Sequence, residues 1–195
     1  MARAAQSVEA VIAPARRRFT IYEYHRMGEV GILDERERVE LLDGDVVEMS
    51  PIGIGHASIV DRLTMLFAVR LGRRVIVRVQ SPIVLDHYSE PQPDLSLLAP
   101  RSDFYADAHP RPSDVLLTIE VMQTSGSYDR TLKLPLYARK HVRELWLMDL
   151  KADAVDVFRR PTASGYRDHQ RLVRGKRIAP FAFPRVFFRV ADILG

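Results

Sequence analysis

The chain contains no cysteine. Thiolate zinc sites, iron–sulfur clusters, cysteine nucleophiles and a disulfide framework are thereby excluded. Lysine is nearly absent too: of 29 basic residues, only Lys133, Lys140, Lys151 and Lys176 are not arginine. No apolar run approaches the roughly 20 residues of a membrane span, and the N-terminal segment has no signal-peptide core before its basic residues. These absences predict a cytoplasmic protein of bacterial type, with no membrane partner. Several motifs are missing as well. The sequence has no Walker loop and no HExxH spacing, and neither Ser50 nor Ser125 lies in a nucleophile elbow. Gly53-Ile54-Gly55 is too short, and follows the wrong element, to bind a dinucleotide.

What is present describes a globular protein. The 195 residues, 47% apolar and 28% charged, suffice for one domain with a substantial core. The formal charge of +4 favours an anionic partner. Arginine in place of lysine offers rigid forks for phosphate or carboxylate, although a GC-rich genome would produce the same bias.

Residues 1–18, with Pro14 and Arg16-Arg17-Arg18, read as a flexible basic arm, and residues 19–195 as a single domain. Thr20 and Glu23 form a capping-box signature for a short helix through Met27. Asp43-Gly44, inside the run from Arg38 to Ser50, predicts a hairpin. Ile59, Val60, Leu63, Leu66, Phe67 and Val69 recur at helical spacing, so a helix is expected over 56–71, closed by Gly72. Strands are expected over 74–85 (with Pro82 at a bulge or edge), 93–98, 114–122 and 144–149. The run DVLLTIEVM is apolar enough for a central strand covered on both faces. A helix over 130–140 tolerates Pro135 only in its first turn. Residues 153–159 and 166–173 should pair around Ser164-Gly165, and the apolar tail over 181–195 should pack back on the domain. The order predicts a mixed α/β (α+β) fold, a mixed β-sheet flanked by helices.

Chemistry is concentrated in acids set within apolar strands. Glu120 alternates with Leu117, Ile119 and Val121, so it shares the opposite face with Thr118. A carboxylate in a covered strand needs a hydrogen-bonding partner, a metal, or a place at the strand's open end. Asp94 opens the run PDLSLL, and Glu40 sits within VELL. Two or three such acids converging from neighbouring strands would form an all-oxygen site for magnesium or manganese. Taken singly, each reads more readily as a solvated or salt-bridged acid, Glu40 most of all. Lys133, near the start of a helix, either reaches back towards Glu120 to stabilise charge or orient water, or is an ordinary surface lysine. His56, between a glycine loop and a helix, could contact phosphate, carry a proton, or cap its helix. Paired carboxylates also serve glycoside hydrolysis, but one tryptophan and no sugar cleft argue against it.

The motifs in combination resemble a known family. They are VELLDGDVVEMSP, the glycine loop before His56, Gln80-Ser81-Pro82, Glu90-Pro91-Gln92-Pro93-Asp94-Leu95 and Ile119-Glu120-Val121. Ser125, Tyr128-Asp129-Arg130, Lys133, Leu136-Tyr137-Ala138, Glu144-Leu145-Trp146 and Asp149 continue the pattern. Over about residues 20–190 the chain is similar to the Uma-type (Uma two) restriction endonuclease family of the PD-(D/E)XK nuclease superfamily. The resemblance implies a restriction-endonuclease-like core and divalent-metal-dependent cleavage of phosphodiester bonds, with nucleic acid, most naturally DNA, as partner. It makes Asp94 and Glu120 metal carboxylates, with Glu40 as the acid of the preceding element. The superfamily's lysine, two residues after the second acid, is replaced here by Met122, and Lys133 matches a lysine moved to the following helix. Gln80 and Tyr137 match positions lining the site. A homodimer suits double-strand cutting. The competing expectation is a nuclease-fold protein that binds nucleic acid or a protein partner without cutting.

Overall fold

The computed structural model describes residues 16–34, 36–122 and 129–195. Residues 1–15 of the arm, and Ser125 and Tyr128 of the family-like motif, lie outside the described residues. Helix α1 (Ile21–Glu29) begins with the anticipated capping box: Thr20 Oγ1 accepts from Glu23 N, and the Glu23 carboxylate accepts from Thr20 N. Arg18, at the end of the arm, donates to the Asp43 carbonyl (2.6 Å) and lies over the Tyr88 ring.

Strands β1 (Val39–Leu42) and β2 (Asp45–Glu48) form the hairpin about Asp43-Gly44. Both turn residues have positive φ, 50° and 89°, as a tight two-residue turn requires. Helix α2 runs Ile54–Leu71, starting two residues earlier than its apolar spacing suggests, and Gly72 caps it. It buries Ile59, Val60, Leu63, Phe67 and Leu71.

The main sheet contains β3 (Ile76–Val79), β4 (Leu95–Leu98), β5 (Val115–Met122), β6 (Glu144–Asp149), β7 (Ala154–Thr162) and β8 (Gly165–Val173), in that spatial order. Only β5 and β6 are parallel; every other neighbouring pair is antiparallel. The expected strand over 74–85 is therefore much shorter. Gln80 takes a φ of 43°, which turns the chain out of β3, and Pro82 has no N–H for the ladder. The chain then runs beside 89–91 instead, with Ile83 N donating to Pro91 O and Leu85 N to Ser89 O.

The connection from β5 to β6 includes a π-helical turn, Asp129–Lys133, that leads into helix α3 (Leu134–Arg139). A single α-helix over 130–140 does not form. Pro135 lies in the first turn of α3, where its missing N–H costs nothing, but it has no N–H to extend an α-helical ladder back to Thr131. The tail forms β9 (Arg177–Ile178), β10 (Phe188–Arg189) and α4 (Val190–Leu194), and buries Phe188, Val190 and Ile193.

Side chains alternate across the central strands and split the core into two layers. Leu117, Ile119, Val121, Trp146 and Met148 pack with α2 and the tail. Leu145, Leu147 and Met122 pack on the other side with Leu42, Leu136 and Tyr137. Among the described residues, no helix is long and apolar enough to cross a membrane.

Candidate active site

Three acids arrive from three strands. The register Leu95↔Ile119 brings Asp94, just before β4, level with Glu120 in β5. Glu40 comes from β1, whose Leu41 bridges to Glu90 in the segment leading into β4. All three are buried: Glu40 is 1% exposed, Glu120 2% and Asp94 7%. Each occupies a position where strand alternation alone would bury an apolar residue.

Donors meet these carboxylates. Glu40 Oε2 accepts the Gln92 backbone N–H (2.9 Å). Asp94 Oδ2 accepts the Val121 backbone N–H (2.8 Å), so the acid of one strand is fixed to the residue after the acid of the next. Asp94 Oδ1 lies 2.8 Å from His56 Nε2, in the first turn of α2. Glu120 Oε1 accepts the Tyr137 hydroxyl of α3 (2.6 Å).

Lys133 joins the two sides. It is 4% exposed, and its Nζ stands 3.0 Å from Glu40 Oε1 and 3.2 Å from Glu120 Oε1. The π turn matters here, because a wide turn alters the angle at which a side chain leaves the helix, and such turns recur at functional sites. Gln80 joins through its backbone, its N–H donating to the Asp94 carbonyl (3.1 Å).

All seven residues singled out in the sequence thus belong to one connected neighbourhood. Among the described residues, however, no three acids or histidines are arranged as a group that could hold a metal ion. The structure adds a second acid–histidine pair that strand patterning did not single out. Glu90, 3% exposed, places Oε1 3.0 Å from His25 Nε2 of α1, and its Oε2 is buried without a hydrogen-bond partner among the described residues. Beside it, the Tyr24 hydroxyl is pushed above its ordinary pKa by burial, and further by the charges of Glu90 and Glu40. The sequence signal for Glu90 is its place at the head of the Glu90-Pro-Gln-Pro-Asp94 run, four residues before an acid already suspected.

The chain is a mixed-sheet α+β protein, with α2 and the tail on one face of the sheet and α3 on the other. The fold matches the crystal structure of "a putative nuclease belonging to DUF820" from Anabaena variabilis ATCC 29413, with a TM-score of 0.68 and 14% sequence identity over 90% of this chain and 97% of that one. Residues 21–191 match the Uma2 family, described as "Putative restriction endonuclease", and the chain belongs to that family. No curated protein matches the sequence.

Proposed function

We propose that the protein is a magnesium- or manganese-dependent endonuclease that hydrolyses phosphodiester bonds in DNA. The observation that carries this reading is the buried Lys133 ammonium between Glu40 and Glu120, with Asp94 tied to the same strand as Glu120. The donor chemistry supports a divalent ion. The three acids offer oxygen ligands, which hard cations prefer. Asp94 and Glu120 would hold such an ion, with Glu40 beside them. When bound, it supplies Lewis-acid polarisation of the scissile phosphate and lowers the pKa of water.

The chain's own residues have separable tasks. Tyr137 and the Val121 N–H fix the directions of the Glu120 and Asp94 carboxylates. His56 holds the second oxygen of Asp94. Lys133 is the positive group that stabilises charge developing on the phosphoryl oxygens as the water oxygen bonds to phosphorus and gives up its proton to solvent, and the P–O ester bond breaks with the leaving oxygen taking a proton from solvent. Cutting both strands of a duplex requires two such sites, so a homodimer is the assembly this reading implies.

One observation favours a second reading, a nuclease-fold protein that binds without cutting: Met122, buried in the apolar layer, stands where a catalytic lysine would follow Glu120 by two residues. Incubating duplex DNA with magnesium or manganese and the wild type, Asp94→Ala or Glu120→Ala separates the two. Cleavage by the wild type, reduced on the order of 10²–10³-fold or more in both variants, is expected. Equal rates in all three overturn the catalytic reading, and binding without cleavage establishes the second.

A further inference from the structure

The ion pairs of this protein are unevenly distributed. Several surface arginines have an acid beside them: Arg139 pairs with Asp43, Arg36 with Asp34, Arg101 with Asp103 and Arg160 with Asp168, while Arg171 and Arg174 reach out of their own stretch to Asp149 and Asp153. Two stretches contain no acid of their own. No acid occurs between Asp61 and Asp86, and none between Asp168 and Asp192. A GC-rich genome would account for the number of arginines, but not for the acids missing from these two stretches.

Folding brings the two stretches together. At the C-terminal end of α2, Arg70 Nη2 donates to the Phe187 carbonyl (3.1 Å) of the tail, and its guanidinium lies 5.6 Å from the Phe188 ring centre. Arg74 lies 5.4 Å from the Phe183 ring, and Arg177 5.4 Å from the Phe187 ring. Arg74 also donates to the carbonyls of Leu71 (3.1 Å) and Arg70 (2.7 Å), so its fork is held in place. In the β9–β10 ribbon, Arg177 and Arg189 are direct cross-strand partners. Like charges in that position destabilise a ribbon by a few tenths of a kcal/mol or more. Arg70, Arg73, Arg74, Lys176, Arg177 and Arg189 are all exposed, and none of the six forms an ion pair among the described residues.

The geometry points to this face as a second contact for the phosphate backbone of a nucleic-acid duplex, separate from the acids. The choice of nucleic acid over other polyanions rests on the nuclease reading above. Exposed guanidinium forks that form no ion pair among the described residues, those of Arg70 and Arg74 held by backbone carbonyls, suit phosphate oxygens, and contacts of this kind give affinity without reading sequence. The spacing suits a duplex as well. The 18 residues of α2 span about 27 Å, with His56 and Asp94 at one end and the arginines at the other. At about 3.4 Å per step, that is about eight base pairs, less than one helical turn.

The test is the salt dependence of binding, measured on the full chain in EDTA so that no metal-dependent cleavage interferes. The probe is a fluorescent DNA duplex about three helical turns long. Against the wild type, the variant R73Q/R177Q/R189Q should bind at least tenfold more weakly at low salt. Its slope of log K against log salt should fall by about 2.7, or about 0.9 for each phosphate that is no longer neutralised. R73K/R177K/R189K, which keeps the charges, should retain the wild-type slope. An unchanged slope in the glutamine variant, at an unchanged melting temperature, overturns the proposal. So does a lysine variant that behaves like the glutamine variant, since the effect would then be structural. A slope change without any magnesium-dependent cleavage sinks only the catalytic reading; intact cleavage without a slope change sinks only this surface.

Discussion

The two ends of α2 treat charge in opposite ways. Near its first turn, Asp94, Glu120, Lys133 and Glu40 are buried and His56 is half-buried; they are mixed in sign and joined by contacts of 2.8–3.2 Å. At its last turn and in the 3-10 turn just after it, Arg70, Arg73 and Arg74 are exposed, alike in sign, and joined by the basic residues of the tail. Buried charge acts through geometry, because each group depends on a particular partner atom and salt cannot reach it. Exposed charge acts through number, each group contributing a little and salt screening all of them. A single substitution should therefore be severe at one end and mild at the other.

The largest expected effect is the loss of metal-dependent cleavage in Asp94→Ala and Glu120→Ala, read in the nuclease assay above. Next is Lys133→Met. It leaves Glu40 and Glu120 without their shared ammonium, and breaking a buried pair from one side costs about 3–5 kcal/mol. Urea unfolding should show that loss, and adding Glu120→Gln should recover much of it without restoring cleavage. If Lys133→Met is as stable as the wild type, the contrast between the two ends fails.

A buried acid outside the site provides a control. Glu144 accepts from the Phe181 backbone N–H (2.6 Å), Arg159 Nε (2.7 Å) and Trp146 Nε1 (2.9 Å), yet burial outweighs these donors and raises its pKa above the ordinary 4.5. The folded state then holds this proton more tightly than the unfolded chain does. The stability it contributes is complete below pH 4.5 and is lost as pH rises through the raised value. Denaturant midpoints measured upward from pH 4 should fall more steeply in the wild type than in Glu144→Gln. The smallest effect belongs to the basic end: Arg73→Gln should change stability by no more than about 0.5 kcal/mol, detectable by calorimetry only as a near-null result, while DNA affinity still drops.

Local signals in the sequence were easy to read. Thr20 with Glu23 and Asp43 with Gly44 determine a helix start and a turn through contacts spanning only a few residues, and both form as expected. Alternation placed Glu120 opposite Leu117, Ile119 and Val121, as the two core layers show. Single residues misled where they override a pattern. Gln80 and Pro82 end a strand that apolar content would prolong, and Pro135 accompanies a π turn where periodicity suggests an α-helix. Contacts across the fold were harder to foresee. That Lys133 lies between Glu40 and Glu120, 93 and 13 residues away in the chain, follows from how β1 and the π turn meet at β5. The Arg177–Arg189 pairing likewise depends on a two-residue ribbon too short to leave a period.

The bond from the Val121 amide to Asp94 has a further use. It is a backbone proton in the middle of the sheet whose acceptor is a side chain of the candidate site, not a neighbouring strand carbonyl. Its resonance in an amide spectrum, and the rate at which it exchanges with deuterated solvent, report on the Asp94 carboxylate directly. Titrating magnesium, manganese or a non-cleavable oligonucleotide while watching that one peak would register occupancy at the acids with no added label and no catalytic turnover.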